Sequence, residues 1–374
     1  MGILSTRIYT YYHLFVLYDN ISLMIELTAG MDDTGRRLDR ILRKALPDLS
    51  LSFIHRLLRQ KKILVDNKPA TPNHRIKQGM VIQIIASVNH TQEQVNHNII
   101  NQVKQPVNKK NLCKNPVSNT QGGKAAPPVP ILWQGSDLIA FNKPQGLSTH
   151  GPNSLDLIVY DWLLAGASPL PHSLSFRPGP LHRLDKPTSG IIFFSRTLEG
   201  AKLFSALLRE HKLEKTYIAI VEGSLKKDET WHDVLTHDKT ARKTFVKTVP
   251  LLPAPKEAFT TVKPIASNNE YSLIEAGIKT GRHHQIRAQA ASHGYPLAGD
   301  IKYGGKPLPG QSRKGAFFLH AWKIKFNAQD VPDGFPREIT APLPEAFREK
   351  IEALFAGVYS LHCFPPITNF ISIP

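Results

Sequence analysis

A short polar loop at residues 182–190 holds the side chains with the clearest capacity for chemistry. Its sequence is His-Arg-Leu-Asp-Lys-Pro-Thr-Ser-Gly, so Asp185 stands between Arg183 and Lys186. The apolar run from Ile191 to Phe194 follows and predicts a buried strand. Enzymes often present reactive groups on such loops, which makes Asp185 a candidate nucleophile or base. The alternative is an exposed loop ion pair, worth under about 1 kcal/mol of stability.

Three further blocks of the sequence accompany this loop. Residues 138–147 contain Asn-Lys-Pro-Gln-Gly before it, and residues 215–223 open with Lys-Thr-Tyr after it. Residues 280–287 read Thr-Gly-Arg-His-His-Gln-Ile-Arg and are followed by Pro-Leu-Ala-Gly-Asp at 296–300. Together, and in this order, the four blocks resemble the RluA family of pseudouridine synthases, whose members carry His-Arg-Leu-Asp before a Thr-Ser-Gly turn.

The resemblance implies an isomerase that breaks the bond between ribose and a uracil nitrogen, turns the base and rejoins it through carbon. It implies that Asp185 is the catalytic carboxylate and that Arg287 is the cation that keeps it ionised. Tyr217 would pack against the target base, with its hydroxyl near the carbon that loses a proton. Because the reaction involves no net redox change and no cosubstrate, we expect neither a metal nor a cofactor.

Three more residues of this region are candidates for substrate binding. Arg183 could stack its guanidinium in the space that the target base vacates. Ile286 is expected to pack beneath the base. His182 is expected to support the site, although a loop histidine is more often a structural hydrogen-bond partner than a proton carrier. Residues 288–290 depart from the family, since Ala-Gln-Ala replaces the more usual Val-His-Leu, and we expect this change to alter RNA contacts rather than catalysis.

The charge of the chain favours a polyanionic partner. Its 374 residues contain 47 Lys and Arg against 30 Asp and Glu, a net charge of +17. Residues 36–62 are the most basic region, with nine Lys and Arg against two Asp. Their apolar spacing predicts two cationic amphipathic helices, the second capped by Ser52, followed by strands at 63–65 and 80–85. This pattern resembles the RNA-binding module named after ribosomal protein S-four.

Arginines of this module are the candidates for phosphate contacts, the alternative being ordinary solvated helix faces. They are Arg36, Arg37, Arg40, Arg56 and Arg59.

The chain is expected to be α+β. We predict an extension of unknown role at 1–23, the small α/β RNA-binding module at 24–88 and a flexible linker rich in Asn, Gln, Lys and Pro at 89–127. The catalytic domain is predicted at 128–356, with a tail at 357–374. The resemblance, and not periodicity, implies that this domain has the pseudouridine synthase fold, with a mixed, largely antiparallel sheet.

A cytoplasmic location is expected. Cys113 and Cys363 are too few for a disulfide framework, and polar residues interrupt the apolar stretch at 11–25. We therefore expect RNA as the partner, no membrane, and no obligatory protein partner.

The predicted substrate is large-subunit ribosomal RNA, because relatives that pair this module with this catalytic domain modify it. Transfer RNA is the alternative substrate. A non-catalytic RNA-binding or ribosome-assembly protein is the alternative of another class, and the joint presence of Asp185, Tyr217 and Arg287 argues against it.

Overall fold

The computed structural model describes residues 3–9, 12–17, 22–47, 49–87, 126–167, 172–238, 243–247, 256–308 and 316–356. They fall into two compact units. The first contains the N-terminal part together with residues 172–178 and 197–199, and the second contains the rest from residue 126 onwards. The predicted tail and nearly all of the predicted linker lie outside the described residues.

The first unit pairs two helices with a six-stranded sheet in the order β1-β2-β3-β6-β4-β5. Alternating apolar residues of the central strands and the apolar helix faces form one core, with Leu27, Leu38, Ile41 and Ile82 fully buried. Two strands belong to the predicted extension at 1–23. The elements are β1 (Ile3–Tyr9), β2 (Tyr12–Leu17), β3 (Ser22–Thr28), α1 (Leu38–Ala45), α2 (Leu51–Arg59), β4 (Ile63–Val65), β5 (Lys68–Pro69) and β6 (Val81–Ser87).

The predicted cap of α2 is wrong by two residues. Ser50 is the capping residue, since its side chain accepts a hydrogen bond from the backbone N–H of Phe53 at 3.2 Å. Ser52 already lies within the helix. Both serines precede apolar positions, and the sequence offers no local signal that separates them.

Asp33 links two distant segments within the first unit. Its buried carboxylate accepts hydrogen bonds from the backbone N–H of Leu174 at 2.8 Å and of Ser175 at 3.0 Å. Leu174 itself is part of the core around α1 and α2. Residues 172–178 therefore complete the first unit, although they lie more than a hundred positions after Asp33 in the sequence.

The second unit is built on an eleven-stranded sheet in the order β13-β12-β14-β15-β11-β16-β10-β8-β7, with β9 paired to β10 and β17 to β16. β10 and β16 are parallel, and the other pairs are antiparallel. The prediction of a mixed, largely antiparallel sheet is confirmed. The strands are β7 (Ile131–Gln134), β8 (Leu138–Lys143), β9 (Gly179–Pro180), β10 (Ser189–Ser195), β11 (Leu213–Glu222), β12 (Glu229–Asp238), β13 (Lys243–Lys247), β14 (Lys256–Ser267), β15 (Tyr271–Ile278), β16 (Leu319–Phe326) and β17 (Glu338–Thr340).

Four α-helices within the described residues accompany this sheet. They are α3 (Leu155–Trp162), α4 (Leu198–Arg209), α5 (Gln285–Ser292) and α6 (Glu345–Phe355). The α6 side chains Phe347 and Ile351 share a core with Ile218 and Ile220 of β11. Because side chains of a strand alternate between faces, Tyr217 points to the opposite face of the sheet.

Gly190 fixes the start of β10, directly after the loop of Asp185. Its φ of 109° disfavours any other residue. A Cβ atom there would also collide with the backbone carbonyl of Ala321 in β16. A glycine is therefore required where the two parallel strands approach each other.

No helix within the described ranges is both long enough and apolar enough to cross a membrane.

Candidate active site

Asp185 lies in the loop between β9 and β10, and its neighbours hold the loop backbone in place. The backbone N–H of Thr188 donates to the carbonyl of Asp185 at 3.0 Å. The hydroxyl of Thr149 donates to the carbonyl of Leu184 at 2.9 Å, and the backbone N–H of Gly146 donates to that of Lys186 at 2.8 Å. The Asn-Lys-Pro-Gln-Gly block thus supports the Asp185 loop.

The Asp185 side chain is 16 % exposed and faces a cleft of about 350 Å³. The cleft is lined from this loop, from β11 and from the segment that leads into α5. Its lining includes His182, Arg183, Asp185, Lys215, Tyr217, Ile278, His283, His284, Ile286, Arg287 and Leu319. The three blocks that carry Asp185, Tyr217 and Arg287 therefore meet at one cleft.

Arg287, in the first turn of α5, is the cation next to Asp185. Its Nη1 donates to Oδ2 of Asp185 at 2.9 Å. Its Nε and Nη2 donate to the two oxygens of Asp300 at 2.7 and 2.8 Å. Burial opposes its charge, but hydrogen bonds and the charges of both carboxylates raise the pKa of Arg287 above its ordinary value. The guanidinium therefore stays charged and fixed between two carboxylates.

His284 also approaches Asp185. Its Nε2 lies 3.3 Å from Oδ2 of Asp185, and its Nδ1 lies 2.8 Å from the hydroxyl of Tyr303. Tyr303 in turn accepts a hydrogen bond from the backbone N–H of Thr244 at 2.8 Å. Burial lowers the pKa of His284 to about 3, so its imidazole is neutral.

Asp185, His283 and His284 have the spacing of a metal site. One ligand atom from each lies within 4.8 Å of the others. The guanidinium of Arg287, however, already contacts Oδ2 of Asp185 and would repel a dication. The arrangement therefore fits a carboxylate paired with an organic cation better than it fits a metal centre.

Tyr217 presents a protonated phenol to the cleft. Its side chain is almost fully buried in the middle of the sheet, opposite Ala276 of β15 and Ala321 of β16. Burial, and after it the charge of Asp185, raises the pKa of Tyr217 well above its ordinary value. Small alanines flank Tyr217 on both neighbouring strands, and Tyr217 itself lines the cleft.

Two buried lysines add positive charge around Asp185. Lys143 donates from Nζ to the carbonyls of Leu147 at 2.7 Å and Pro144 at 3.1 Å. Burial lowers the pKa of Lys143 to about 8, against the charge of Asp185, and burial lowers the pKa of Lys215 to about 8. Both are charged at neutral pH, and the charge of Lys143 interacts with that of Asp185.

The other candidates of this region differ in position. Arg183 is exposed at the cleft, and Ile286 is buried in its wall. His182 also lines the cleft, but its Nε2 accepts a hydrogen bond from the backbone N–H of Phe193 at 3.0 Å. Burial, and then the charge of Lys215, lowers the pKa of His182 to about 3. A neutral His182 therefore ties the loop to β10.

The Gln289 side chain makes internal hydrogen bonds, so any change in RNA contacts from residues 288–290 does not come from this group directly. The side chain is fully buried, accepts a hydrogen bond from Thr260 at 2.7 Å and donates to the carbonyl of Trp231 at 3.1 Å. A group that is enclosed in this way cannot reach RNA. Gln289 instead joins α5 to β12 and β14.

The candidate arginines of the N-terminal module lie in the first unit. Arg40, Arg56 and Arg59 are exposed. Arg37 is half-buried and makes a two-point ion pair with Asp39, at 3.1 and 2.8 Å. Arg36 is half-buried as well, and donates to the carbonyl of Ser175 at 3.4 Å. The first three are therefore the more available for phosphates.

Sequence reasoning missed the supporting roles of Asp300, His284 and Tyr303. All three belong to blocks that carried the family resemblance. The available signal was their presence in those blocks, since nothing in the local sequence places them around Asp185.

Comparison with known proteins agrees with these findings. Residues 137–292 match the RNA pseudouridylate synthase family, and residues 36–82 match the S4 domain. Ribosomal large subunit pseudouridine synthase C of Vibrio vulnificus is 26% identical, over 86% of this chain and 94% of that protein. Synthase D of Nitrosomonas europaea is 29% identical over 80% of each chain, and synthase D of Borreliella burgdorferi is 30% identical over 59% of this chain and 67% of that protein. The sequence blocks, the fold and these matches together show that the chain belongs to the RluA family of pseudouridine synthases and carries an S4 domain in its N-terminal part.

Proposed function

We propose that this protein converts uridines of large-subunit ribosomal RNA to pseudouridine, with Asp185 as its catalytic carboxylate. The observation that carries the proposal is the pairing of Asp185 with Arg287 at 2.9 Å in a cleft that also contains Tyr217. The substrate is proposed because the relatives described above are named as large-subunit ribosomal synthases. The same likeness supports a cytoplasmic location.

Each residue has a distinct role in this proposal. Asp185 initiates cleavage of the glycosidic bond, as nucleophile or as base, and Arg287 keeps its carboxylate ionised. Tyr217 stacks on the uracil and holds its hydroxyl near the carbon that loses a proton. Arg183 fills the space that the base leaves, while Ile286 packs beneath the base and His182 supports the loop.

The exposed arginines of the first unit bind phosphates in this proposal, and this binding supplies affinity without reading sequence. They are Arg40, Arg56 and Arg59, with Arg36 and Arg37 in a lesser role because intramolecular partners already engage them.

The test is to map pseudouridines in all ribosomal and transfer RNAs of a strain that lacks the gene. The strain is compared with its parent and with strains that express either the wild-type protein or Asp185→Asn. We expect one or more large-subunit sites to disappear, to return with the wild-type protein, and to stay absent with the Asp185→Asn variant. That variant keeps the shape of the side chain and should bind RNA within about 1 kcal/mol of the wild type.

Three outcomes would contradict the proposal. Loss of pseudouridine from transfer RNA alone would replace the ribosomal substrate with the alternative one. Restoration of the site by Asp185→Asn would remove the catalytic role of Asp185, and an unchanged pseudouridine map would favour a non-catalytic RNA-binding protein.

A further inference from the structure

We propose that His284 is a positioning residue for Asp185, holding Oδ2 together with Arg287 so that Oδ1 is the oxygen presented to the target nucleotide. This inference rests on the proposed catalytic role of Asp185. It goes further than that role, because it assigns different tasks to the two oxygens of the Asp185 carboxylate. It also gives a function to a histidine that is not one of the proposed catalytic residues Asp185, Tyr217 and Arg287.

The contacts of the carboxylate are one-sided. Both Arg287 Nη1, at 2.9 Å, and His284 Nε2, at 3.3 Å, approach Oδ2. Within the described part of the chain, no hydrogen bond reaches Oδ1 of Asp185. Rotation of the carboxylate about its last bond would exchange the two oxygens, and the two neighbours of Oδ2 oppose that exchange. Oδ1 is therefore the oxygen with a free lone pair in the cleft.

The neighbours of His284 determine which ring nitrogen carries the proton. The hydroxyl oxygen of Tyr303 accepts from the backbone N–H of Thr244, so its own hydrogen is directed to Nδ1 of His284. Nδ1 is then the acceptor, and Nε2 carries the hydrogen of the neutral ring. Nε2, which carries this hydrogen, is the ring nitrogen 3.3 Å from Oδ2 of Asp185. In the other tautomer, a lone pair of Nε2 would lie next to the negative oxygen instead.

The separation of 3.3 Å between Nε2 and Oδ2 is a close approach and not a formed hydrogen bond. Catalytic hydrogen bonds are often long or poorly aligned in the absence of substrate and tighten in the complex. The proposed role of His284 therefore requires this contact to become a hydrogen bond when the target nucleotide is bound.

The backbone of His284 is adapted to this position. Its φ of 53° and ψ of 29° place it in the left-handed region immediately before α5. A residue other than glycine in this sparsely populated region is strained, and such strain concentrates at functional sites. The conformation brings the ring to Asp185 from a residue only three positions before Arg287.

His284 itself does not titrate in the working range. Asp185, Arg287, His283 and Lys302 act on it electrostatically, and burial is the largest influence, which lowers its pKa to about 3. A change in the acidic limb of the pH–rate profile on substitution is therefore not caused by the loss of a titrating histidine.

The test compares His284→Asn with His284→Gln. Asparagine tolerates the left-handed backbone but its amide is too short to reach Asp185, whereas the glutamine amide nitrogen can take the place of Nε2. His293→Gln is the control, because His293 follows the same helix and contacts Asp233 at 3.0 Å, outside the cleft lining. Single-turnover rates are measured on one RNA fragment from roughly pH 5 to 8, with RNA affinity and thermal unfolding.

We expect His284→Asn to slow the reaction about 10- to 100-fold, as is usual for a residue that orients a catalytic group. Its acidic limb should move to higher pH, because the ionised carboxylate has lost a donor. RNA affinity should change by less than about threefold, since His284 does not bind phosphate. His284→Gln should recover part of the rate, and His293→Gln should match the parent.

A second variant tests the contacts from Tyr303 through His284 to Asp185 while leaving the His284 side chain in place. Tyr303→Phe keeps the ring but removes the hydroxyl that fixes the tautomer, so it should shift the acidic limb in the same direction by a smaller amount.

The inference is overturned if His284→Asn retains the parent rate and acidic limb. It is also overturned if asparagine and glutamine lose rate equally with an unmoved limb, which would mark a packing role. These failures are separable from failure of the proposed function, because an inactive Asp185→Asn beside a normal His284→Asn refutes only the role of His284.

Discussion

Asp300 accepts two hydrogen bonds from Arg287, from Nε at 2.7 Å and from Nη2 at 2.8 Å. This bidentate interaction leaves Nη1 of Arg287 to donate to Asp185. Asp300 and Arg287 are 1 % and 6 % exposed, so water does not compete for these bonds. Asp300 therefore sets the direction in which Arg287 points.

Substitution of Asp300 should consequently affect both stability and rate. In Asp300→Asn the amide oxygen can still accept one hydrogen bond from Arg287, but the amide NH₂ group would face the second N–H of the guanidinium. Because breaking a buried ion pair is costly, we expect the free energy of unfolding to fall by about 3–5 kcal/mol. We also expect a rate loss of about 10- to 100-fold, because Arg287 loses its direction. Denaturant unfolding and single-turnover assays measure the two effects.

The control for Asp300 is Glu338→Gln. Glu338 is exposed on β17 and pairs with Lys323 and Lys325 at 3.6 and 3.5 Å. Its change should cost under about 1 kcal/mol and leave the rate unaltered. Equal effects of the two substitutions would refute a special role for Asp300.

The charge of Arg287 should set the acidic limb of the rate profile. In Arg287→Met the carboxylate of Asp185 keeps its partly dry surroundings but loses the opposing charge, so the limb should move to higher pH. Arg287→Lys should recover only part of the activity, since an ammonium cannot contact both carboxylates with a planar fork. Single-turnover rates across pH measure this, and a methionine variant with the parent's limb would contradict it.

The hydroxyl of Tyr217 should matter for rate and not for binding. Tyr217→Phe keeps the stacking ring and removes the group proposed to act near the uracil carbon, so we expect a large loss of rate with near-normal RNA affinity. Uridine deuterated at that carbon should show a larger isotope effect in the variant than in the parent. An unchanged rate would leave stacking as the only role of Tyr217.

The exposed helix arginines should determine the salt dependence of RNA binding. Arg40→Gln together with Arg59→Gln should lower the slope of log affinity against log salt by about 0.7–0.9 for each lost phosphate contact. The matched control changes two exposed lysines outside the helices, Lys68 and Lys77, to glutamine. A slope that changes equally in both double variants would show a diffuse charge effect and no specific helix surface.

The stability of the second unit should rise with pH above about 8 through Lys143. Burial lowers the pKa of Lys143 from 10.5 to about 8 in the folded protein. Between these two values the unfolded chain binds the extra proton, so raising the pH favours the folded state. Urea unfolding of the parent at both ends of this window, compared with Lys143→Met, should show a smaller rise in the variant. An identical rise in both proteins would exclude Lys143 as its source.

The proposed catalytic residues Asp185, Tyr217 and Arg287 could be selected from the sequence because their residue types occur in recognisable blocks. Asp185 and Arg287 lie 102 positions apart, and only the family resemblance could connect them before the structure. The two amphipathic helices were also predictable, since apolar periodicity is a local property.

The support around the trio could not be predicted in the same way. The contacts of Asp300 and His284 depend on how α5 is placed against the Asp185 loop, which no periodic pattern specifies. Gln289 shows the same limit, because its type and position in the sequence do not reveal that its side chain is enclosed and hydrogen-bonded to Thr260 of β14.

The hydrogen bonds of Asp33 have a consequence for how the protein folds during its synthesis. Domains generally fold as units, with the N-terminal one first as the chain leaves the ribosome. Here the buried carboxylate of Asp33 accepts a hydrogen bond from the backbone N–H of Leu174, which lies 141 positions later in the chain. Its helices and central strands can form early, but its final core must wait until translation has passed that residue. A ribosome stalled earlier should therefore carry an N-terminal module with a solvated Asp33 and lower resistance to proteases.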